Sequence, residues 1–179
     1  MSDGVQQAIL GGGCFWCLEA VYQQVKGVER VVSGYAGGHV PNPDYETVCA
    51  ETTGHAEVVQ LQFDPRIVSY RQILEIFFVI HDPTTLNYQG NDVGARYRSV
   101  IFTLDDEQMH VAKELVSELS QGKHFSRPLV TEIKAAPTFY LAEDYHQNYF
   151  QTHPFQGYCM AVVGPKVSKF KKTFQMLIR

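Results

Sequence analysis

Three glycines lead directly into a cysteine in the run Gly11-Gly12-Gly13-Cys14-Phe15-Trp16-Cys17, and Trp16 is the only tryptophan of the chain. The residues before the glycines read as a strand and those after them as a helix. The run therefore sets a thiol at a helix start. Unpaired backbone N–H groups and the positive end of the helix dipole act there, and both favour thiolate over thiol. The chemistry expected of Cys14 is nucleophilic attack. The competing reading is a tight turn around a buried structural cysteine, because free cysteine is often buried.

An acid is placed to serve that thiol. Residues 55–63 alternate as a strand does, and alternate strand residues share a face. His55, Glu57, Val59, Leu61 and Phe63 make the apolar row, with Ala56, Val58, Gln60 and Gln62 on the other side. Glu57 thus lies near the end of a core-facing row. Burial disfavours a carboxylate, so its pKa should rise, and an acid that keeps its proton near neutrality can act as a general acid. The plainer alternative is a glutamate at a fraying strand end, in solvent or paired with His55. Other polar residues gather in loops. Tyr45 follows the turn Pro41-Asn42-Pro43, and Asn87, Tyr88, Asn91, Asp92 and Tyr97 surround the loop before a later strand. Each alone reads as a surface, packing or turn residue; together they gain weight.

Three more cysteines need placing. Cys17 makes a C-x-x-C with Cys14, a spacing that thiol–disulfide oxidoreductases use at a helix start. Cys159 follows Gln156-Gly157-Tyr158, and a thiol on a mobile segment there could reach Cys14. Cys49 sits in an apolar setting and reads as structural. There is no second C-x-x-C and no histidine pair at finger spacing, so no metal is expected. No Gly-Lys-Ser/Thr follows the glycines, which argues against phosphate. The four lysines of residues 166–172 read as a solvated helix face around Phe170. His146 reads as a structural hydrogen-bonding residue.

The elements that position these groups follow from hydrophobic periodicity. Strands are expected over residues 5–10, 28–35, 55–63 and 97–102, with one more over 130–134. Helices are expected over residues 15–25, stopped by Gly27, and 70–80, opened by a Ser69/Gln72 capping box. A third helix, capped by Thr103 and Asp106, reaches residue 119, and a terminal helix spans 166–178. The order of the first six is β-α-β-β-α-β. That predicts an α+β fold with a ferredoxin-like βαββαβ two-layer core, additional helices and a long, loop-rich C-terminal segment. A chain of 179 residues with 45% hydrophobic content can bury a real core, and residues 1–179 read as one domain without repeats or linkers. The net charge of -4 argues against a nucleic-acid surface, and no apolar stretch is long enough to span a membrane. Residues 1–10 lack a basic start and an apolar run, so a cytoplasmic enzyme with working thiols is expected.

The motifs together resemble the peptide methionine sulfoxide reductase A family. The matching segments are Gly13-Cys14-Phe15-Trp16, Ser33-Gly34-Tyr35-Ala36-Gly37-Gly38 and Pro41-Asn42-Pro43-Asp44-Tyr45. Thr53-Gly54-His55-Ala56-Glu57, His81-Asp82-Pro83-Thr84, Gln89-Gly90-Asn91-Asp92-Val93-Gly94 and Tyr97-Arg98-Ser99 follow. Glu143-Asp144-Tyr145-His146-Gln147 and Gly157-Tyr158-Cys159 close the set. The resemblance implies that Cys14 attacks the sulfur of a methionine S-sulfoxide, protein-bound or free. Glu57 would donate a proton toward the sulfoxide oxygen, helped by Tyr45 and Tyr97, while Asp92 orders the polar side. Phe15 and Trp16 would hold the substrate methyl. Cys159 would then resolve the Cys14 sulfenic acid as a disulfide, and thioredoxin would reduce it, with no bound cofactor and a monomeric enzyme. Many members carry glycine where this chain has Cys17, which leaves Cys17 as the alternative resolving thiol. The rival activity is general thiol–disulfide exchange through Cys14 and Cys17.

Overall fold

A computed structural model describes residues 4–179. Its centre is a six-stranded mixed sheet. In chain order the strands are β1 (Gln6–Gly11), β2 (Val28–Ala36), β3 (Ala56–Phe63), β6 (Val100–Thr103), β7 (Glu132–Ala135) and β8 (Tyr140–Leu141); β4 (Tyr88–Gln89) and β5 (Asp92–Val93) pair as a separate small hairpin. The order across the sheet is β7-β6-β1-β3-β2-β8, with β6 and β7 parallel and the other neighbours antiparallel.

Helices α1 (Phe15–Tyr22), α3 (Tyr70–Ile80), α4 (Asp106–Gln121) and α6 (Gly164–Thr173) bury their apolar residues in one large core with Leu10, Val59, Leu61 and Phe63 of the sheet. The expected apolar row of β3 is thus the core row, and it carries Glu57, 1% exposed, at its upper end. The expected two-layer core leaves the opposite face of the sheet open. It is instead partly covered. Ile9, Ala56, Val58, Val100 and Phe102 form a second cluster under Ala136 and Phe139, and the Phe139 ring fits because Gly34 has no side chain.

Both bonds of the Ser69/Gln72 capping box open α3. Ser69→Ala removes one of them and is expected to lower stability by about 1 kcal/mol, read as a fall of about 2–4 °C in melting temperature. Several boundaries differ from the sequence expectation. Thr103 ends β6, and Asp105 caps α4 by accepting the Gln108 N–H at 2.8 Å. Helix α1 ends at Tyr22, and Val25 goes on to bridge Ile178. Tyr97 lies in a 3-10 turn, Ala95–Tyr97, with the strand starting at Val100. The expected strand over 130–134 is β7, two residues later. The terminal helix begins as a wide π-type turn, Cys159–Val163, and ends at Thr173, because Phe174 leaves the helical region at φ -120 and ψ 52. Two short helices, α2 (Tyr45–Cys49) and α5 (Tyr149–Thr152), and strand β8 have no periodicity from which to read them. No helix among the described residues is long and apolar enough to cross a membrane.

Candidate active site

The glycine run works by close approach. A Cβ on Gly12 would stand 2.9 Å from the His81 ring, and Gly13 takes a left-handed φ of +86 that turns the chain from β1 into α1. The Gly13 N–H also donates to the Tyr97 carbonyl at 3.1 Å, which ties the loop to a second site element. Cys14 is the N-cap residue of α1, and its own side chain makes no capping bond. That role falls to Glu57, whose Oε1 accepts the Phe15 N–H at 3.1 Å. The first free N–H of the helix is satisfied by an acid arriving from the middle of the sheet.

This arrangement reverses the expectation for Cys14. Burial, followed by the charges of Glu57 and Cys17, pushes the thiol well above its ordinary range. The helix end is too weak to overcome desolvation at a group only 8% exposed. In the resting protein Cys14 is a thiol. Glu57 behaves as expected. Burial pushes its carboxyl from 4.5 up to about 8, against the opposing pull of the Phe15 N–H and of Arg96.

A cavity of about 190 Å³ is lined by Cys14, Phe15, Trp16, Tyr45, Glu57, Asp92, Tyr97 and Tyr158. It is smaller than cavities that hold drug-sized ligands, and it suits the end of one side chain. Seven of the eight were expected site residues, drawn from two helix starts, a strand, a hairpin and a 3-10 turn up to 83 positions apart in the chain (14 to 97). Tyr45 opens α2 and is anchored by its N–H to Glu143 Oε2 at 2.8 Å. Tyr97 carries the Arg96 guanidinium 4.4 Å from its ring centroid. Burial raises both phenols, so they remain hydrogen-bond donors at any working pH. Asp92, on the β4–β5 hairpin, accepts the Tyr158 hydroxyl at 2.5 Å.

The apolar side is rigid. The Trp16 ring stacks on Tyr149 at 3.7 Å and 4°, and its Nε1–H donates to His146 Nδ1 at 3.1 Å. His146 also packs against Phe15 and Tyr45, so it fixes the rings as well as accepting a bond.

Some expected residues lie elsewhere. Asn87 and Asn91 are exposed, and neither they nor Tyr88 lines the cavity. Cys159 is fully buried and outside the lining, next in sequence to Tyr158. Cys17 is also outside the lining, but its Sγ lies 3.9 Å from the Tyr158 hydroxyl. All four cysteines are free thiols. Sequence reasoning missed Tyr158 itself. The available signal was its place between Gly157 and Cys159, since a tyrosine packed inside needs a partner for its hydroxyl. Among the described residues no group of three or more His, Cys, Asp or Glu side chains is placed to hold a metal.

The site therefore sets a buried thiol in one small cavity with a carboxyl that burial pushes up and with the Phe15 and Trp16 rings. The sequence model of peptide methionine sulfoxide reductase matches residues 6–177. Peptide methionine sulfoxide reductase MsrA of Polynucleobacter asymbioticus is 65% identical over 97% of this chain and 92% of its own. The fold is similar to methionine sulfoxide reductase A of Corynebacterium diphtheriae, with TM-score 0.81, 34% identity, and 89% of this chain and 80% of that one covered. It is also similar to Mxr1 from Saccharomyces cerevisiae in reduced form, with TM-score 0.79, 32% identity, and 90% and 92% covered. The chain belongs to the peptide methionine sulfoxide reductase family.

Proposed function

We propose that the chain reduces methionine S-sulfoxide, protein-bound and free, to methionine, and so repairs oxidised proteins. The observation that carries this reading is a Glu57 carboxyl only 1% exposed, lining the same small cavity as the Cys14 thiol. The substrate methyl rests against Phe15 and Trp16, and the sulfoxide oxygen faces Glu57, Tyr45 and Tyr97. Fixing methyl and oxygen fixes one configuration at sulfur.

Cys14 Sγ attacks the sulfoxide sulfur while the Glu57 proton moves to the sulfoxide oxygen. The thiol proton passes to the carboxylate this leaves behind. Glu57 and Cys14 line the same small cavity, which supports that transfer. The pair carries no net charge before or after, which suits a buried site. One oxygen ends on Cys14 as a sulfenic acid, and methionine leaves. Cys159 then attacks that sulfur, giving a Cys14–Cys159 disulfide and water. Thioredoxin supplies the two electrons that reopen it, with no bound cofactor. The yeast protein Mxr1 has also been crystallised in complex with Trx2. Asp92 holds Tyr158, and with it the segment that carries Cys159.

A second reading has an observation behind it. Cys17 shares the Tyr158 neighbourhood and acts electrostatically on Cys14, so it is the alternative resolving thiol. Thiol–disulfide exchange as the main activity has less support, since the family match points to sulfoxide. The strand order β6-β1-β3-β2, all antiparallel, supports a ferredoxin-like core, and the one main core supports a single domain. We place it as a monomer in the cytoplasm, where reducing conditions keep four free thiols.

Cys159→Ser is expected to release about one methionine per enzyme and then stop under thioredoxin. Rapid-quench counting of methionine against enzyme checks it. Full cycling in that variant moves the resolving role to Cys17.

A further inference from the structure

A groove of about 1200 Å³ opens beside the catalytic cavity, and Asp92 and Tyr158 line both. Phe78, Ile80 and Val162 contribute apolar lining. One wall is Lys166 and Lys169, three residues apart on one side of α6. The sequence expectation of a solvated lysine face holds for Lys169 but not for Lys166, which is half-buried. A Cβ on Gly13 would lie only 3.8 Å from the Lys166 Nζ, so this ammonium stands at the junction of groove and cavity.

The charges in the groove are unevenly matched. Asp92 accepts the Tyr158 hydroxyl, and Asp82 takes both the Thr84 N–H and hydroxyl and Arg127 at 3.5 Å. Neither lysine forms an ion pair among the described residues. Asp82 has Arg127 as its ion-pair partner, which leaves two lysines against Asp92, a net positive groove in a chain whose net charge is -4.

We propose that this groove holds the polypeptide beside the oxidised methionine, and that Lys166 and Lys169 make the enzyme prefer acidic neighbours. The inference rests on the sulfoxide-reductase reading above and adds a substrate class to it. The cavity has room for one side-chain end, so the chain carrying that side chain must leave past the cavity rim. The rim residues Asp92 and Tyr158 are also groove residues, so the exit opens onto it. Glutamate or aspartate near the sulfoxide would meet two unneutralised ammonium groups, and lysine would meet repulsion.

The test uses heptapeptides with a central methionine S-sulfoxide flanked on both sides by glutamate pairs or by lysine pairs. Dithiothreitol is the reductant, so no protein docks to recycle the enzyme. At low salt kcat/KM should favour the glutamate peptide by roughly three- to tenfold, and added salt should shrink that ratio. Lys169→Glu should bring the ratio to unity or invert it. A ratio of one in the wild type at low salt, or a ratio that Lys169→Glu leaves unchanged, overturns the proposal. So does a Lys169→Glu effect seen only when thioredoxin replaces dithiothreitol, which would give the groove to the reductant. Free methionine S-sulfoxide separates the two levels of inference. If it is reduced while the peptide ratio is one, only the groove assignment fails; if the wild type reduces neither it nor the peptides, the reductase reading fails with it.

Discussion

Cys14→Ser is expected to reduce methionine S-sulfoxide at less than roughly 10⁻⁴ of the wild-type rate, whatever the reductant. The loss is that large because nothing else in the cavity is a nucleophile. Cys17 and Cys159 lie outside the lining, and the other residues facing the substrate are acids, phenols and apolar rings. Serine has nearly the same shape, and its hydroxyl sits where the glycine loop and α1 already fix the backbone. The variant should therefore fold, with an unchanged far-UV circular dichroism spectrum. Reduction of free sulfoxide, measured by methionine release with dithiothreitol, checks the result. Retained turnover would move the nucleophile to another thiol.

Glu57→Gln is expected to slow the single-turnover rate by roughly 10²–10⁴ while leaving substrate binding largely intact. Glutamine keeps an oxygen to accept the Phe15 N–H, so α1 stays capped, but it has no acidic proton to give. The pH dependence follows from the same group. Because the Glu57 carboxyl is pushed up to about 8, the wild-type rate should be level below that pH and fall as pH rises through it. The variant should lack this falling limb. Wild-type stability should fall with rising pH as well. A carboxyl raised from 4.5 to about 8 binds an extra proton on folding between those values, so wild-type stability falls as pH rises across that window. Glu57→Gln removes the fall, and at pH 8 it should be the more stable protein by about a few kcal/mol. At pH 4 the difference should vanish. Denaturant unfolding at the two pH values reads this directly. A variant with an unchanged single-turnover rate would remove Glu57 from the chemistry.

The parts of this molecule that were legible in sequence are those where periodicity meets burial. The row through Glu57, Val59, Leu61 and Phe63 could be read because β3 is bordered by β1 and β2 and faces the helices. Helix α3 could be read from its apolar face and its capping box. The stretch between β7 and the terminal helix could not. Its backbone is held by side chains from far away, as when Gln147 satisfies both the N–H and the carbonyl of Ser33. Such bonds leave no repeating pattern in the sequence. The site residues came mostly from motifs whose shared geometry only the fold makes visible. Tyr45, Asp92 and Tyr97 are ordinary loop residues until α2, the hairpin and the 3-10 turn bring them around one cavity. The thiolate expected from the helix start failed for a physical reason. The sequence reveals the helix end but not the depth of burial, and burial dominates at Cys14. That failure sharpens the mechanism, because a neutral thiol needs somewhere to send its proton, and Glu57 is the group beside it.

The central claim is that Cys14 takes the oxygen equivalent from the substrate. It is tested most directly by mass spectrometry of the Cys14 peptide after one turnover in Cys17→Ser/Cys49→Ser/Cys159→Ser, which leaves Cys14 as the one thiol of the chain. A gain of one oxygen on Cys14, matching one methionine released per enzyme, is the predicted result. Methionine released in that amount with Cys14 unmodified would contradict the account.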